Sequence, residues 1–311
     1  VKTLHRVEQI TPAGHRIAVR DLRNRTVAEV EYDKLIIATG ARPRCLNVAG
    51  DDGRNVFHLG SRADTLNILA YLKTESPARA VIVGGGYIGM EMSEALRLKG
   101  LDVTLLHRHR LPMAGLEQDT RERILAELAG NGVHFVTNAS VEAFVQDREN
   151  RVRHVLTNRG SFESDLVILS LGVEPNADLA QSARVRLGEK GGIITDELQQ
   201  TNVDSVFAAG DCCEVRKLVS GKRIYLPLAS VASRAAWTAG ENAAGRHSTY
   251  KGAIRAIGVK VFGLEVAQVG LSLEEAGEAG FQAVTESITA FGKVALMPEA
   301  GKVTVRLILD R

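Results

Sequence analysis

The run Val81-Ile82-Val83-Gly84-Gly85-Gly86-Tyr87-Ile88-Gly89 limits what this chain can fold into more than any other stretch. A short β-branched run leads directly into G-x-G-x-x-G, and an apolar-periodic stretch, residues 90–98, follows. That order predicts a strand, a tight turn and a helix. Gly84 permits the turn, Gly86 lets the backbone approach a diphosphate, and Gly89 lets the helix pack closely on its strand. Gly84, Gly86, Tyr87, Ile88 and Gly89 are therefore candidate nucleotide contacts. The phosphates belong at the helix N-terminus, where unpaired N–H groups and the helix dipole favour an anion. Gly100 stops the helix, and residues 103–106 form the next strand. A site for NAD wants an acid at that strand's end, about 20 residues past the motif, to hold the ribose 2′-hydroxyl. This chain has His107-Arg108-His109-Arg110 instead. A carboxylate repels a 2′-phosphate and a basic cluster binds it, so His107, Arg108 and Arg110 point to NADPH, with NADH less favoured. A solvated basic loop fits the same residues.

A chain of 311 residues holds about two to three domains. Its 45 % apolar and 24 % charged content is globular. A net charge of +2 argues against a nucleic-acid or membrane-surface partner. The three cysteines, Cys45, Cys212 and Cys213, form neither a metal-ligand spacing nor a disulfide framework. No metal site is expected, and a reducing, cytoplasmic setting is. No apolar run is long enough to span a bilayer.

The first part is strand-rich, at residues 16–20 and 26–32, and reads as a small antiparallel insertion. A buried strand at 33–39 then ends in Gly40 and is closed by Pro43. Residues 44–60 read as a connecting loop and 61–73 as a helix with Ser61 as N-cap. Beyond the glycine motif come a helix at 116–131 and strands at 133–135, 141–145 and 152–157. At 164–175 the earlier pattern returns. Asp33, Gly40 and Pro43 match Asp165, Gly172 and Pro175 at one constant offset, each pair enclosing an apolar strand. This reads as an internal repeat. The first copy's own glycine motif would then lie upstream of Val1. Residues 206–209 form another buried strand, ending in Gly210-Asp211. A carboxylate there either takes a polyol hydroxyl in the sheet crevice or caps the following turn. Residues 226–244 read as a helix. From Tyr250 the character changes to an α+β piece with strands at 253–262, 284–289 and 302–309 and a helix at 273–279. The last strand leaves an exposed edge, and the chain's end looks premature.

Four stretches together resemble the pyridine nucleotide–disulfide oxidoreductases: Asp33 to Pro43, Gly84 to Glu91, Leu171 to Asn176 and Val206 to Asp211. Within that group, the Leu-Gly-Val-x-Pro-Asn form and the segment 258–271 are similar to coenzyme A disulfide reductases and NADH oxidases. The resemblance covers essentially the whole chain. It implies an α/β fold of two three-layer, Rossmann-like domains, one for FAD and one for NAD(P)H, with a partial α+β dimerisation domain. The implied division is residues 1–57 and 175–246 for FAD, 58–174 for NAD(P)H and 247–311 for dimerisation.

By the same resemblance Thr39, Gly40 and Ala41 form a flavin-contact segment, and Gly172 closes the matching turn of the second copy. Gly210 and Asp211 would hold the flavin's ribityl chain, and Ala229 and Ser230 would lie by its ring. Tyr87 and Glu91 are the candidate catalytic residues. Tyr87 matches the aromatic residue over the flavin, and Glu91 the helix carboxylate near the nicotinamide. Each also reads as an ordinary residue of a helix start. The implied chemistry passes hydride from NADPH through flavin to a disulfide, such as coenzyme A disulfide, or to a persulfide, in a homodimer. Reduction of dioxygen, service to a redox-protein partner, and a module that binds NADPH without redox chemistry are the alternatives. The family's first flavin motif and redox cysteine fall outside this chain, so flavin-poor protein is expected and the three cysteines read as structural.

Overall fold

The computed structural model describes residues 1–294, 297 and 301–311. Around the glycine motif the chain builds a five-stranded parallel sheet. Its order is Val56–His58, Leu166–Leu169, Arg79–Val83, Asp102–Leu106, Val133–Val136. Strands covered on both faces must be apolar on both, which explains the unbroken hydrophobic runs at 80–83 and 166–169.

Side chains of these strands alternate between two cores. Ala80, Ile82, Leu105, Leu166 and Ile168 pack against the helices Tyr87–Leu98 and Gln118–Gly130, through Met90, Leu96, Ile124 and Leu128. Val81, Val83, Leu106, Val167 and Leu169 point the other way. They meet an antiparallel sheet of Val141–Gln146, Val152–Thr157 and Gly160–Glu163, through Phe144, Val152 and Val155. The unit is thus three-layered. Ser61 caps the preceding helix, Arg62–Glu75, by accepting from the Asp64 N–H at 3.2 Å. The strand Val56–His58 stands where the sequence reads as loop. It is too short to show a period, and its place is fixed from outside. Buried Asn55 donates to the carbonyls of Val152 and Asp165 at 2.9 Å and accepts from the Val152 N–H at 2.7 Å.

The first segment is a three-stranded antiparallel sheet of His5–Thr11, Arg16–Asp21 and Val27–Glu31. The sequence reading finds only the last two of these. A bulge between Val7 and Gln9 breaks the alternation of the first strand and hides it. Leu35–Ile37 pairs in parallel with Val206–Ala208, over a core of Ile10, Ile37, Ala180, Ile193 and Cys212.

The two repeat copies meet where the chain crosses between these units. Ala41–Pro43 pairs antiparallel with Val173–Pro175. Arg44 N–H donates to the Gly172 carbonyl at 3.1 Å, and Asn176 N–H donates to the Gly40 carbonyl at 2.9 Å. Equivalent residues of each copy thus make equivalent bonds to the other, as a local two-fold relation requires. Gly40 and Gly172 both turn at positive φ, 67° and 80°.

The C-terminal segment holds two hairpins, Ala256–Val261 with Leu264–Val269 and Ala283–Phe291 with Lys302–Asp310, around the helix Leu273–Glu278. That is one strand more than the three expected. The first hairpin does not stand apart, because Val259 and Val261 enter the core that holds Met90 and Leu96. Its turn is held by the same helices: Phe262 N–H donates to Glu94 Oε2 at 2.7 Å and Gly263 N–H to Glu127 Oε1 at 2.9 Å. Among the described residues, no helix is long and apolar enough to cross a membrane.

Candidate functional site

Each glycine of the motif meets a different steric demand. Gly84 has φ +114°, and a Cβ there would lie 2.2 Å from the Ser170 carbonyl oxygen. A Cβ on Gly89 would lie 2.0 Å from the carbonyl oxygen of Gly84. A Cβ on Gly86 would meet nothing within 4 Å. Gly84 and Gly89 are therefore required by the fold itself, while Gly86 faces open space beside the helix start. Gly86 is also the N-cap of Tyr87–Leu98, and no side chain caps that end. The first-turn N–H groups of a twelve-residue helix are thus left for an anion. Tyr87, 40 % exposed, and half-buried Ile88 open this turn. Glu91 is exposed and lies beyond the first turn, which carries no acid.

At the end of the neighbouring strand the basic cluster divides. His107 does not serve as a cation. Its Nδ1 accepts from the Gly85 N–H at 3.1 Å. Burial, with His109 and Arg108 close by, holds its pKa down to about 4. Arg110 pairs with Glu122 at 3.3 Å, both side chains being well exposed, which is a weak tie. Exposed Arg108 donates to His109 Nε2 at 3.1 Å and has no carboxylate partner among the described residues. The cation free to meet a phosphate is therefore Arg108. The sequence alone points to His107, Arg108 and Arg110 together and does not separate them.

A second group of predicted residues surrounds the crossing point. The Thr39 hydroxyl donates to the Asn176 carbonyl, and Asn176 Nδ2 returns a bond to the Thr39 carbonyl at 3.0 Å. Thr39, Gly40 and Ala41 are thereby fixed against the second repeat copy, with Arg42 tied to Glu174 and Asp178 at 2.8 Å each. Asn176 and Arg42 are absent from the sequence-based site, although Asn176 stands in the quoted 171–176 motif. Gly210, at φ +91°, directs Asp211 toward a cavity of about 180 Å³. That cavity is also lined by Arg216, Arg223, Val231 and Ala235. Asp211 Oδ1 is buried with no hydrogen-bond partner, and burial raises its pKa. An unpartnered buried carboxylate oxygen fits a hydroxyl-bearing ligand better than it fits a closed fold. Ala229 and Ser230, both exposed, begin the helix Ala229–Ala243, which also has no side-chain cap.

Cys45 is exposed, while Cys212 is buried and its Sγ lies 3.8 Å from that of Cys213. The contact with Cys213, aided by Thr39 and Gly40, draws the Cys212 thiol down to about 6. The same contact and burial push Cys213 well up. Among the described residues, no cluster of His, Cys, Asp and Glu could hold a metal ion.

A sequence model described as pyridine nucleotide-disulphide oxidoreductase matches residues 1–236. The chain belongs to this family. It is 32 % identical over 293 residues to the NAD(P)H coenzyme A polysulfide/persulfide reductase of Pyrococcus horikoshii, covering 94 % of this chain and 65 % of the relative. It is 30 % identical to the NADH oxidase of Enterococcus faecalis, over 100 % of this chain and 69 % of that one. The chain thus spans about two thirds of the length of these family members. Among solved structures it resembles an engineered water-forming NADPH oxidase bound to NADPH, with TM-score 0.90 and 28 % identity. That match covers 98 % of this chain and 67 % of the other. The α/β fold with a Rossmann-like parallel sheet is the family's.

Two pairs of measurements check the site. Gly89→Ala should destabilise the protein by about 1–3 kcal/mol, since its Cβ has no room. Gly86→Ala should leave thermal stability nearly unchanged and abolish nucleotide binding, as read by calorimetry. Equal effects of the two on stability would contradict the division of roles. Asp211 has a raised folded-state pKa, so the folded state holds its proton longer than the unfolded chain. The cost of burying the charge then appears as pH rises from the unfolded value toward the raised one. Asp211→Asn should remove that loss, raising the Tm of the protein at neutral pH. A lower Tm at neutral pH would contradict the assignment.

Proposed function

We propose that this chain is the nucleotide-handling part of an NADPH- and FAD-dependent reductase whose acceptor is a low-molecular-weight disulfide or a persulfide. The single observation that carries the nucleotide half is the uncapped helix start at Gly86, with acid-free Arg108 at the end of the adjacent strand. The acceptor class rests on the family and on the named activity of the Pyrococcus relative. In this reading residues 1–57 and 175–246 serve FAD, 58–174 serve NADPH, and 247–311 serve dimerisation. The preference for NADPH has independent support. The engineered NADPH oxidase carries substitutions that remove an aspartate and add two arginines. The lost aspartate and one new arginine are neighbours in that chain, as His107 and Arg108 are here.

The chain's own residues have separate tasks in this scheme. The first-turn N–H groups after Gly86 hold the diphosphate, and Arg108 holds the 2′-phosphate. Asp211 accepts from a ribityl hydroxyl. Tyr87 stands at the helix start, where it covers the ring site until nicotinamide enters, and Glu91 orients the nicotinamide from the next turn. Thr39, Gly40, Ala41 and Gly172 fix the backbone that lines the flavin, and Ala229 and Ser230 border its ring. When bound, FAD supplies the two-electron chemistry between a hydride donor and a disulfide. A reducing compartment such as the cytoplasm suits the three free thiols.

We also read the second C-terminal hairpin as a dimer surface. One of its faces carries Ile288, Val303, Val305, Leu307 and Leu309, each about half exposed or more. A bare apolar strand face invites a second copy. Light scattering should give a dimer, and a sharp monomer at every concentration would overturn this reading.

The nucleotide assignment is tested by titration. Arg108→Glu should weaken NADPH by about 10- to 100-fold, the worth of a charge-assisted phosphate bond, and spare or improve NADH. Equal or tighter NADH binding by the unmodified protein would overturn it. For the acceptor, NADPH oxidation by FAD-loaded protein with coenzyme A disulfide in the absence of oxygen supports the disulfide. Oxidation that requires dioxygen would make the oxidase reading the correct one.

A further inference from the structure

Gly85 is held through both of the peptide units that meet at it. Its N–H donates to His107 Nδ1 at 3.1 Å, and its carbonyl accepts from the Met113 N–H at 2.8 Å. Both partners are committed to this contact. The His107 ring packs on the loop so closely that a Cβ on Gly85 would lie 3.0 Å from His107 Cγ. The His107 backbone is fixed in turn, its N–H donating to the Val136 carbonyl at 3.0 Å and its carbonyl accepting from the Ala139 N–H at 2.8 Å. Phe135 lies against the ring, with centroids 5.9 Å apart. Met113 is 2 % exposed and has φ 55°, a left-handed conformation that side chains other than glycine adopt at a cost. A buried, strained residue on one side and a buried ring on the other are more than an irregular loop needs.

We infer that His107 is a positioning residue for the nucleotide site: as a neutral acceptor at Nδ1 it clamps the Gly84–Gly85 peptide through the Gly85 N–H and so sets the diphosphate cradle at Gly86. This rests on the reading of the glycine motif as a nucleotide site. The geometry gives the reason. Gly85 lies immediately before Gly86, the one glycine of the motif whose Cβ direction is open. Rotation of the Gly84–Gly85 peptide, whose N–H His107 holds, would swing Gly85, the Gly86 backbone and the uncapped helix start with it. Nδ1 can accept only while it carries no proton, so the N–H of a neutral ring sits on Nε2, which is buried without a hydrogen-bond partner. Burial keeps the ring neutral. His107 therefore stands where an NAD site has its ribose-binding acid, but its ring nitrogen is turned to the loop. The choice between NADPH and NADH falls to Arg108, and His107 serves both nucleotides alike.

The test compares three variants of the full chain, with NADPH and NADH titrated by fluorescence and folding checked by thermal denaturation. His107→Leu removes the acceptor and should weaken both nucleotides by the same factor, roughly three- to tenfold for one lost hydrogen bond. The ratio of the two affinities should not change. Asn carries its Oδ1 on Cγ, as His carries Nδ1, so His107→Asn should restore binding to within about twofold of the unmodified protein. His107→Gln places its acceptor one carbon further out and should not restore it. A loss confined to NADPH would overturn the inference and make His107 a phosphate ligand. Binding by His107→Leu equal to that of unmodified protein would also overturn it, as would a His107→Asn variant that folds but binds as weakly as the leucine variant. Unmodified protein that takes up neither nucleotide would instead overturn the reading of the site itself, and the inference with it.

Discussion

The carbonyl oxygen of Gly84 stands 2.0 Å from where a Cβ of Gly89 would be. That contact lets the helix Tyr87–Leu98 start directly over the end of the strand Arg79–Val83. With the helix this close, its first N–H groups and the open side of Gly86 face the same space. The buried helix face, Met90, Ser93 and Leu96, then fixes where the sheet, the helix Gln118–Gly130 and the first C-terminal hairpin can pack. Burying such side chains is worth about 1.5–3 kcal/mol each for the large apolar ones. Core packing therefore also places the uncapped N–H groups of the helix start.

A second constraint operates at the crossing between the two units. Gly40 and Gly172 turn alike, and the strands that follow them bond to each other. The chain leaves one unit and returns to it through this one ladder. Thr39 and Asn176 lock it by bonds in both directions, and Cys212 Sγ lies 3.7 Å from the Ile37 carbonyl, at the end of the strand that leads into it. Any flavin seated on residues 39–41 and 210–211 would thus be held by backbone that the crossing fixes. The cores on either side, around Ile37 and around Ile82, remain distinct.

The parts legible in the sequence are those whose requirements are local. Gly84 and Gly89 are required by contacts within the motif's own turn and neighbouring strand. The repeat shows because each copy needs an apolar strand and a glycine at positive φ. The strand His5–Thr11 escapes notice because a bulge shifts its alternation by one. Val56–His58 escapes because three residues carry no period. Leu264–Val269 alternates in burial but not in sequence, since Gln268 is half-buried and Ala267 and Val269 are exposed. The basic run is legible as charge but not as geometry. Nothing in His107-Arg108-His109-Arg110 says that the first ring turns inward onto Gly85, that the last guanidinium turns to Glu122, and that Arg108 remains. Those differences come from Phe135, Gly85 and Glu122, which are distant in sequence. Asp211 is similar: its identity was legible, but the buried, unpartnered state of its Oδ1 depends on the surrounding fold.

The central claim is that the helix start after Gly86 and the guanidinium of Arg108 together form one NADPH site. A crystal structure of the protein with NADPH bound tests it most directly. The diphosphate should lie against the N–H groups that follow Gly86 and the 2′-phosphate against Arg108, with the Gly85 N–H still donated to His107. A diphosphate placed elsewhere, or a 2′-phosphate in solvent with Arg108 unengaged, would contradict it.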